Sequence, residues 1–143
     1  ITSALMALGE IMPLPDPKYW TFTQRNNVVL MACTSQYPCP PKNVNLNRIK
    51  SLASYGLPVG FSDHTDSLIA ASIARSLGAR IFEKHFTLDN NLPGPEHTWA
   101  ATPDDLAMWA ESIRCVDVLM GSGSLQLSAE DLDNKARYQR KEP

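Results

Sequence analysis

The chain has 143 residues, of which 43% are hydrophobic and 20% charged, with a formal net charge of -2. That balance belongs to a globular protein and excludes a polybasic nucleic-acid scaffold. No apolar run approaches the ~18 residues of a membrane span, and three irregularly spaced cysteines make no disulfide framework, so a reducing cytoplasm is expected. The start, Ile1-Thr2-Ser3, has no initiator Met and no basic stretch leading into an apolar run, so no secretory leader is expected.

Residues 1–25 give little pattern. Met6 to Ile11 suits a short helix or a strand edge, and Pro13, Pro15 and Pro17 forbid a regular helix after it. Tyr19, Trp20 and Phe22 are candidates to cover a core edge. From Val28 to Cys33 a continuous apolar run predicts a strand buried on both faces. A proline-rich loop follows, Tyr37 to Pro41. Leu46, Ile49, Leu52 and Ala53 recur at helical spacing, with Asn45 as N-cap and Gly56 as stop. Leu57 to Phe61 is a second strand, with its proline near the start. Thr65 is expected to cap a helix through Leu68, Ile69, Ile73 and Leu77, ended by Gly78. Arg80 to Phe86 is a third strand, and a loop with Pro93-Gly94-Pro95 follows. Thr102, Pro103 and two acids then open the clearest helix, with Leu106, Trp109, Ile113, Val116 and Met120 on one face and Gly121 at its end. The tail, 122–143, is polar and basic and reads as a linker. Strand and helix alternate three times, which predicts an α/β fold with a parallel sheet.

Ionisable groups collect where the strands end: Cys33-Thr34-Ser35-Gln36-Tyr37, Phe61-Ser62-Asp63-His64-Thr65 and Glu83-Lys84-His85-Phe86-Thr87. In parallel α/β folds that edge hosts the chemistry. Residues two apart on a strand share a face, so Ser62 pairs in direction with His64, and Glu83 with His85. Two imidazoles from neighbouring strands can share one divalent metal, leaving its other positions to water or substrate, as in an open catalytic site. Glu83 beside His85 suits an acid/base role or the support of a metal ligand. Plainer readings stand beside these: a hydrogen-bonded histidine, a turn-forming Ser62, a Tyr37 packed on prolines, and a solvated His97. Cys33 is expected in the core, and Cys39 and Cys115 have no partner pattern.

The strings Cys33-Thr34-Ser35-Gln36-Tyr37-Pro38, Val44-Asn45-Leu46, Leu57 to Thr65, Glu83 to Asp89 and Pro93 to His97 resemble the N-acetylneuraminate (sialic acid) synthase family, and the likeness runs from Asn26 to Gly121. The resemblance implies a (β/α)8 TIM barrel of which this chain is the C-terminal part only: 1–25 poorly matched, 26–121 barrel, 122–143 a linker toward an antifreeze-like domain. It implies condensation of phosphoenolpyruvate with N-acetylmannosamine or a related acylamino sugar, releasing phosphate. It implies a divalent metal, commonly manganese (Mn2+), held by His64 and His85. Catalytic residues would be Glu83, His64 and His85. Ser35 and Ser62 would approach phosphate, and Tyr37 and Glu96 the sugar. Glu96 stands where the family often has Asp.

Full-length members are expected to be cytoplasmic homodimers, with no nucleic-acid or membrane partner. A complete barrel takes ~250 residues, so this length predicts a piece of one. The isolated segment is expected to be inactive, because the lysines that would hold phosphate lie on earlier strands. Two other readings remain open: a non-catalytic or truncated α/β fragment, and a metal-dependent barrel hydrolase.

Overall fold

The computed structural model describes residues 28–139. The expectations for Met6 to Ile11, for the prolines between Pro13 and Pro17, and for Tyr19, Trp20 and Phe22 lie outside them. Three strands, β1 (Leu30–Cys33), β2 (Val59–Asp63) and β3 (Ile81–Lys84), form a parallel sheet in that order. The register sets Cys33 beside Ser62, and Ser62 beside Glu83. The helices are α1 (Pro41–Val44), α2 (Arg48–Ala53), α3 (Ala70–Ser76), α4 (Pro103–Met120) and α5 (Ala129–Gln139). The parallel α/β arrangement is therefore present.

The core lies between the sheet and helices α2 to α4. Ala32, Val59, Phe61 and Phe82 meet Ile49, Leu52, Ala71, Ala74 and Trp109 there. All five residues of β2 are buried, as suits a central parallel strand. On the opposite face Gly60 lies so close to Met31 that a Cβ would stand 2.3 Å from its Sδ. Ile81 and Glu83 on that face are exposed.

Several local expectations shift. Strand β2 begins at Val59, not Leu57. Pro58 has no N–H to give, and only its carbonyl joins the sheet, accepting from Leu30 N at 2.9 Å. Asn45 is not an N-cap. It takes the left-handed conformation that closes α1, and α2 starts from Asn47 without a side-chain cap. Thr65 is not the N-cap of α3: its hydroxyl donates to Asp63 and accepts from Ser67 N at 3.1 Å, in a turn ahead of the helix. Helix α3 starts at Ala70 and turns its small residues, Ala70, Ala71 and Ala74, toward the core. Leu68, Ile69 and Ile73, expected inside, are exposed, Ile69 by 66%. Small side chains let this helix sit close to the sheet, which the larger ones would prevent.

Strand β3 is shorter than expected. Beyond it Phe86 makes a lone parallel bridge to Ala101, with Ala101 N donating to the His85 carbonyl and Thr87 N to the Ala101 carbonyl, both at 2.9 Å. Helix α4 matches its expected start. Thr102 and Asp105 form a reciprocal capping box with Pro103 at the first helical position. Met120 is exposed, not on the buried face. Ser72 and Ser112 meet at 3.0 Å, and Arg75 grips Asp117 through two nitrogens at 2.9 Å, so α3 and α4 are fixed side by side. The segment expected to be a linker carries α5, none of whose residues is buried. Among the described residues no helix is long and apolar enough to cross a membrane.

The Thr102 hydroxyl, and then its backbone N–H, hold the Asp105 carboxyl below the ordinary carboxylate range. A depressed pKa contributes stability above the ordinary Asp value of about 4, and that contribution is lost as pH falls through the depressed one. Thr102→Ala should lower the unfolding free energy by about 1 kcal/mol in urea titrations at neutral pH. Asp105→Asn has no proton to gain, so its stability should fall less steeply on acidification than that of the unaltered chain.

Candidate active site at the strand ends

Strand alternation splits the ends of β2 and β3 into two layers. Asp63 and Lys84 turn toward the helices, whereas Ser62, His64, Glu83 and His85 turn to the other side. The lower layer is a buried polar network. Asp63 is 1% exposed. Its Oδ1 accepts from Thr65 N at 2.9 Å and Thr65 Oγ1 at 2.7 Å. Its Oδ2 accepts from Trp109 Nε1 at 2.8 Å and faces Lys84 Nζ at 3.5 Å. Lys84 Nζ also donates to the Thr65 carbonyl at 2.6 Å. The network ties the ends of both strands to the middle of α4.

The upper layer carries the expected chemistry. Ser62 Oγ donates to Glu83 Oε1 and lies 3.3 Å from His64 Nε2. His64 Nδ1 stands 2.8 Å from the Thr34 carbonyl. A carbonyl only accepts, so the hydrogen-bond network assigns the proton to Nδ1. Ser62 has one proton, and the shorter contact gives it to Glu83. The Nε2 lone pair of a neutral His64 is then left without a full donor. A positive charge at that atom, whether proton or metal cation, completes the network. A backbone carbonyl on one ring nitrogen and a free lone pair on the other is the usual state of a metal-ligating histidine. The donor set therefore fits a cation.

His85 lies just past β3. Its ring centre is 5.3 Å from that of His64, and its Nδ1 stands 3.3 Å from Glu96 Oε2. Tyr37 lies with its ring centre 4.3 Å from His64 and 5.6 Å from His85. Of the seven candidate residues, Glu83, His64, His85, Ser62, Tyr37 and Glu96 are thus brought together. Ser35 is exposed and makes no hydrogen bond among the described residues. Among those residues no group of three or more His, Cys, Asp or Glu side chains could hold a metal, so His64 and His85 stand as a pair.

His97 keeps its plainer role. It lies 2.8 Å from Thr87 Oγ1 through Nδ1, and Asn90 Nδ2 donates to its carbonyl at 2.7 Å and to that of Ala100 at 2.9 Å. These bonds close the loop after β3. A cleft of about 250 Å³ beside His85 is lined by Phe86, Gly94, Pro95 and Glu96. Cys33 is exposed rather than in the core, because it sits at the open strand end. Burial pushes the Cys39 thiol up, so it is inert at neutral pH. Three contributors escaped the sequence reading. Asp63 and Lys84 share the register offset of their flanking pairs, which was a usable signal. Trp99, with its ring centre 4.5 Å from His85, had none.

A parallel sheet with ionisable groups gathered at its C-terminal edge defines the class: a parallel α/β fold with its polar groups at the strand ends. The chain belongs to the NeuB family, whose model matches residues 3–125. It is 37% identical to the N,N'-diacetyllegionaminic acid synthase of Legionella pneumophila, over 98% of this chain and 40% of that protein. It is 35% identical to human N-acetylneuraminate-9-phosphate synthase, over 71% of this chain and 29% of that protein. The crystal structure of N-acetylneuraminic acid synthetase from Leptospira borgpetersenii, in complex with citrate, matches with a TM-score of 0.64 and 31% identity. That match covers 79% of this chain and 40% of that one. The chain thus spans well under half the length of these relatives.

Asp63→Asn puts an amide against the Trp109 N–H and the Lys84 ammonium, leaving a buried charge without its partner. Breaking such a pair should destabilise the fold by about 3 kcal/mol or more, read by urea denaturation.

Proposed function

We propose that the chain is the C-terminal part of a (β/α)8 barrel that condenses phosphoenolpyruvate with an N-acylated amino sugar and releases phosphate. The observation that carries this reading is the His64–His85 pair, with its rings 5.3 Å apart and His64 Nε2 in need of positive charge. Synthase relatives of the sialic, legionaminic and pseudaminic acid types support the reaction class. His64 and His85 would hold a divalent ion, Mn2+ by the family resemblance. When bound, such an ion supplies Lewis acidity toward the open-chain aldehyde of the sugar.

The residues of the chain do the rest of the work. Thr34 fixes the His64 tautomer through its carbonyl. Glu83 holds the Ser62 proton and so orients the Ser62 oxygen beside His64. With its free oxygen, Glu83 is the group placed to take a proton from the attacking water or to give one to the aldehyde oxygen. Tyr37 offers an apolar ring beside both histidines, suited to the acyl group or a C–H face of the sugar. The 250 Å³ cleft between His85 and Glu96 gives the acceptor room. Glu96 is one methylene longer than Asp and here reaches His85 Nδ1, so we assign it both to His85 and to the sugar hydroxyls. Ser35 is a neutral donor for phosphate, and Ser62 becomes one when its proton turns from Glu83. The charge that balances phosphate must come from basic groups elsewhere in the barrel.

The balance of the reaction is that of an aldol-like addition. The enol carbon bonds to the aldehyde carbon as the C=O π bond opens and its oxygen takes a proton, water adds to the resulting cationic centre and loses a proton, and C–O cleavage releases phosphate. In a longer family protein carrying this segment, His64→Ala and His85→Ala should each abolish Mn2+-dependent phosphate release from phosphoenolpyruvate plus N-acetylmannosamine. Release should require both substrates. Wild-type rates in both variants would overturn the metal assignment, and release without the sugar would point to a hydrolase.

A further inference from the structure

We propose that Trp99 is the positioning residue that orients His85. This rests on the reading of His64 and His85 as one cation site. The two histidines are held very differently. His64 is 5% exposed, donates to the Thr34 carbonyl through Nδ1, and has Ser62 Oγ 3.3 Å from Nε2. His85 lies beyond the last ladder pair of β3, and among the described residues its ring has one polar partner, Glu96, whose carboxylate side chain is 66% exposed. An exposed ion pair restrains little, because water and salt screen it and Glu pays rotamer entropy to hold it.

Three aromatic rings also stand against the His85 ring. Trp99 is nearest, with ring centres 4.5 Å apart at 56°, ahead of His64 at 5.3 Å and Tyr37 at 5.6 Å. Trp99 also meets Tyr37 at 5.1 Å, so the indole closes a ring of four around the pair. Such contacts are directional and are not screened by salt.

Trp99 is itself fixed by the chain that carries it. Ala100 and Ala101, which follow it, are buried. Ala101 N donates to the carbonyl of His85 itself, and Asn90 clamps the Ala100 carbonyl. One backbone bridge therefore sets both the His85 main chain and the segment that bears Trp99. The indole touches His85 and also lines a cavity of about 280 Å³ with Lys84, Asn90 and Asp105 on its walls, which His85 does not line. Without the indole, His85 has room to leave the direction it shares with His64.

The test uses the 143-residue chain, isotope-labelled, and two readouts. In the metal-free chain, three-bond couplings of His85 should report one side-chain rotamer. Trp99→Ala should average them, Trp99→Phe should restore them, and His64 should keep its own couplings throughout. By calorimetry, Trp99→Ala should weaken Mn2+ binding by about three- to tenfold, with Trp99→Phe within about twofold of the parent. Glu96→Gln should weaken it less than Trp99→Ala does. An unaveraged His85 in Trp99→Ala, or a larger loss in Glu96→Gln, would overturn the proposal. Should Trp99→Ala fail to fold, averaged His85 couplings in a folded Trp99→Phe chain would overturn it equally. If the parent chain takes up no Mn2+, the cation reading falls, and the rotamer couplings still decide the role of Trp99.

Discussion

A carboxylate is expensive to remove from water, and Asp63 is almost fully buried. It is tolerated because every side of it is occupied: the Thr65 N–H and hydroxyl, the Trp109 indole N–H and the Lys84 ammonium. No one of these partners would suffice. Together they require that the end of β2, the end of β3, the turn at Thr65 and the middle of α4 meet at one point. The candidate site depends on that requirement. Ser62 and His64 flank Asp63, and Glu83 and His85 flank Lys84. With the central pair anchored toward the helices, alternation turns both flanking pairs the other way and sets them side by side.

The layers divide the labour by chemistry. Below the sheet the charges cancel and leave nothing to react. Above it they do not. Ser62 has a single proton for two acceptors, and His64 Nε2 is left asking for a cation. Buried networks that are fully satisfied hold shape, and unsatisfied ones next to solvent invite ligands. The N,N'-diacetyllegionaminic acid synthase of Legionella pneumophila is matched over 98% of this chain, both layers included.

The fold class was legible in the chain, because three apolar runs alternate with helical patterns and each strand ends in polar residues. The pairing of His64 with His85 was also legible, since both lie two residues past a pattern whose register offset is the same. Other features were hidden for definite reasons. Periodicity put Leu68, Ile69 and Ile73 inside, whereas packing chose the alanines, whose small size the helix–sheet distance demands. Thr65 has the look of a cap, and its hydroxyl does accept from Ser67 N, but it closes a turn there and the helix begins only at Ala70. Trp99 sits in a loop without period, and only the Phe86–Ala101 bridge, with Ala101 N bonded to the His85 carbonyl, reveals what it faces.

The central claim is that two strand ends converge on one cation. Electron–nuclear double resonance of the Mn2+-loaded chain tests it most directly. Couplings from two imidazole nitrogens per Mn2+ are predicted, one lost in His64→Ala and the other in His85→Ala. A spectrum with one nitrogen coupling or none, or with both surviving either substitution, would contradict it.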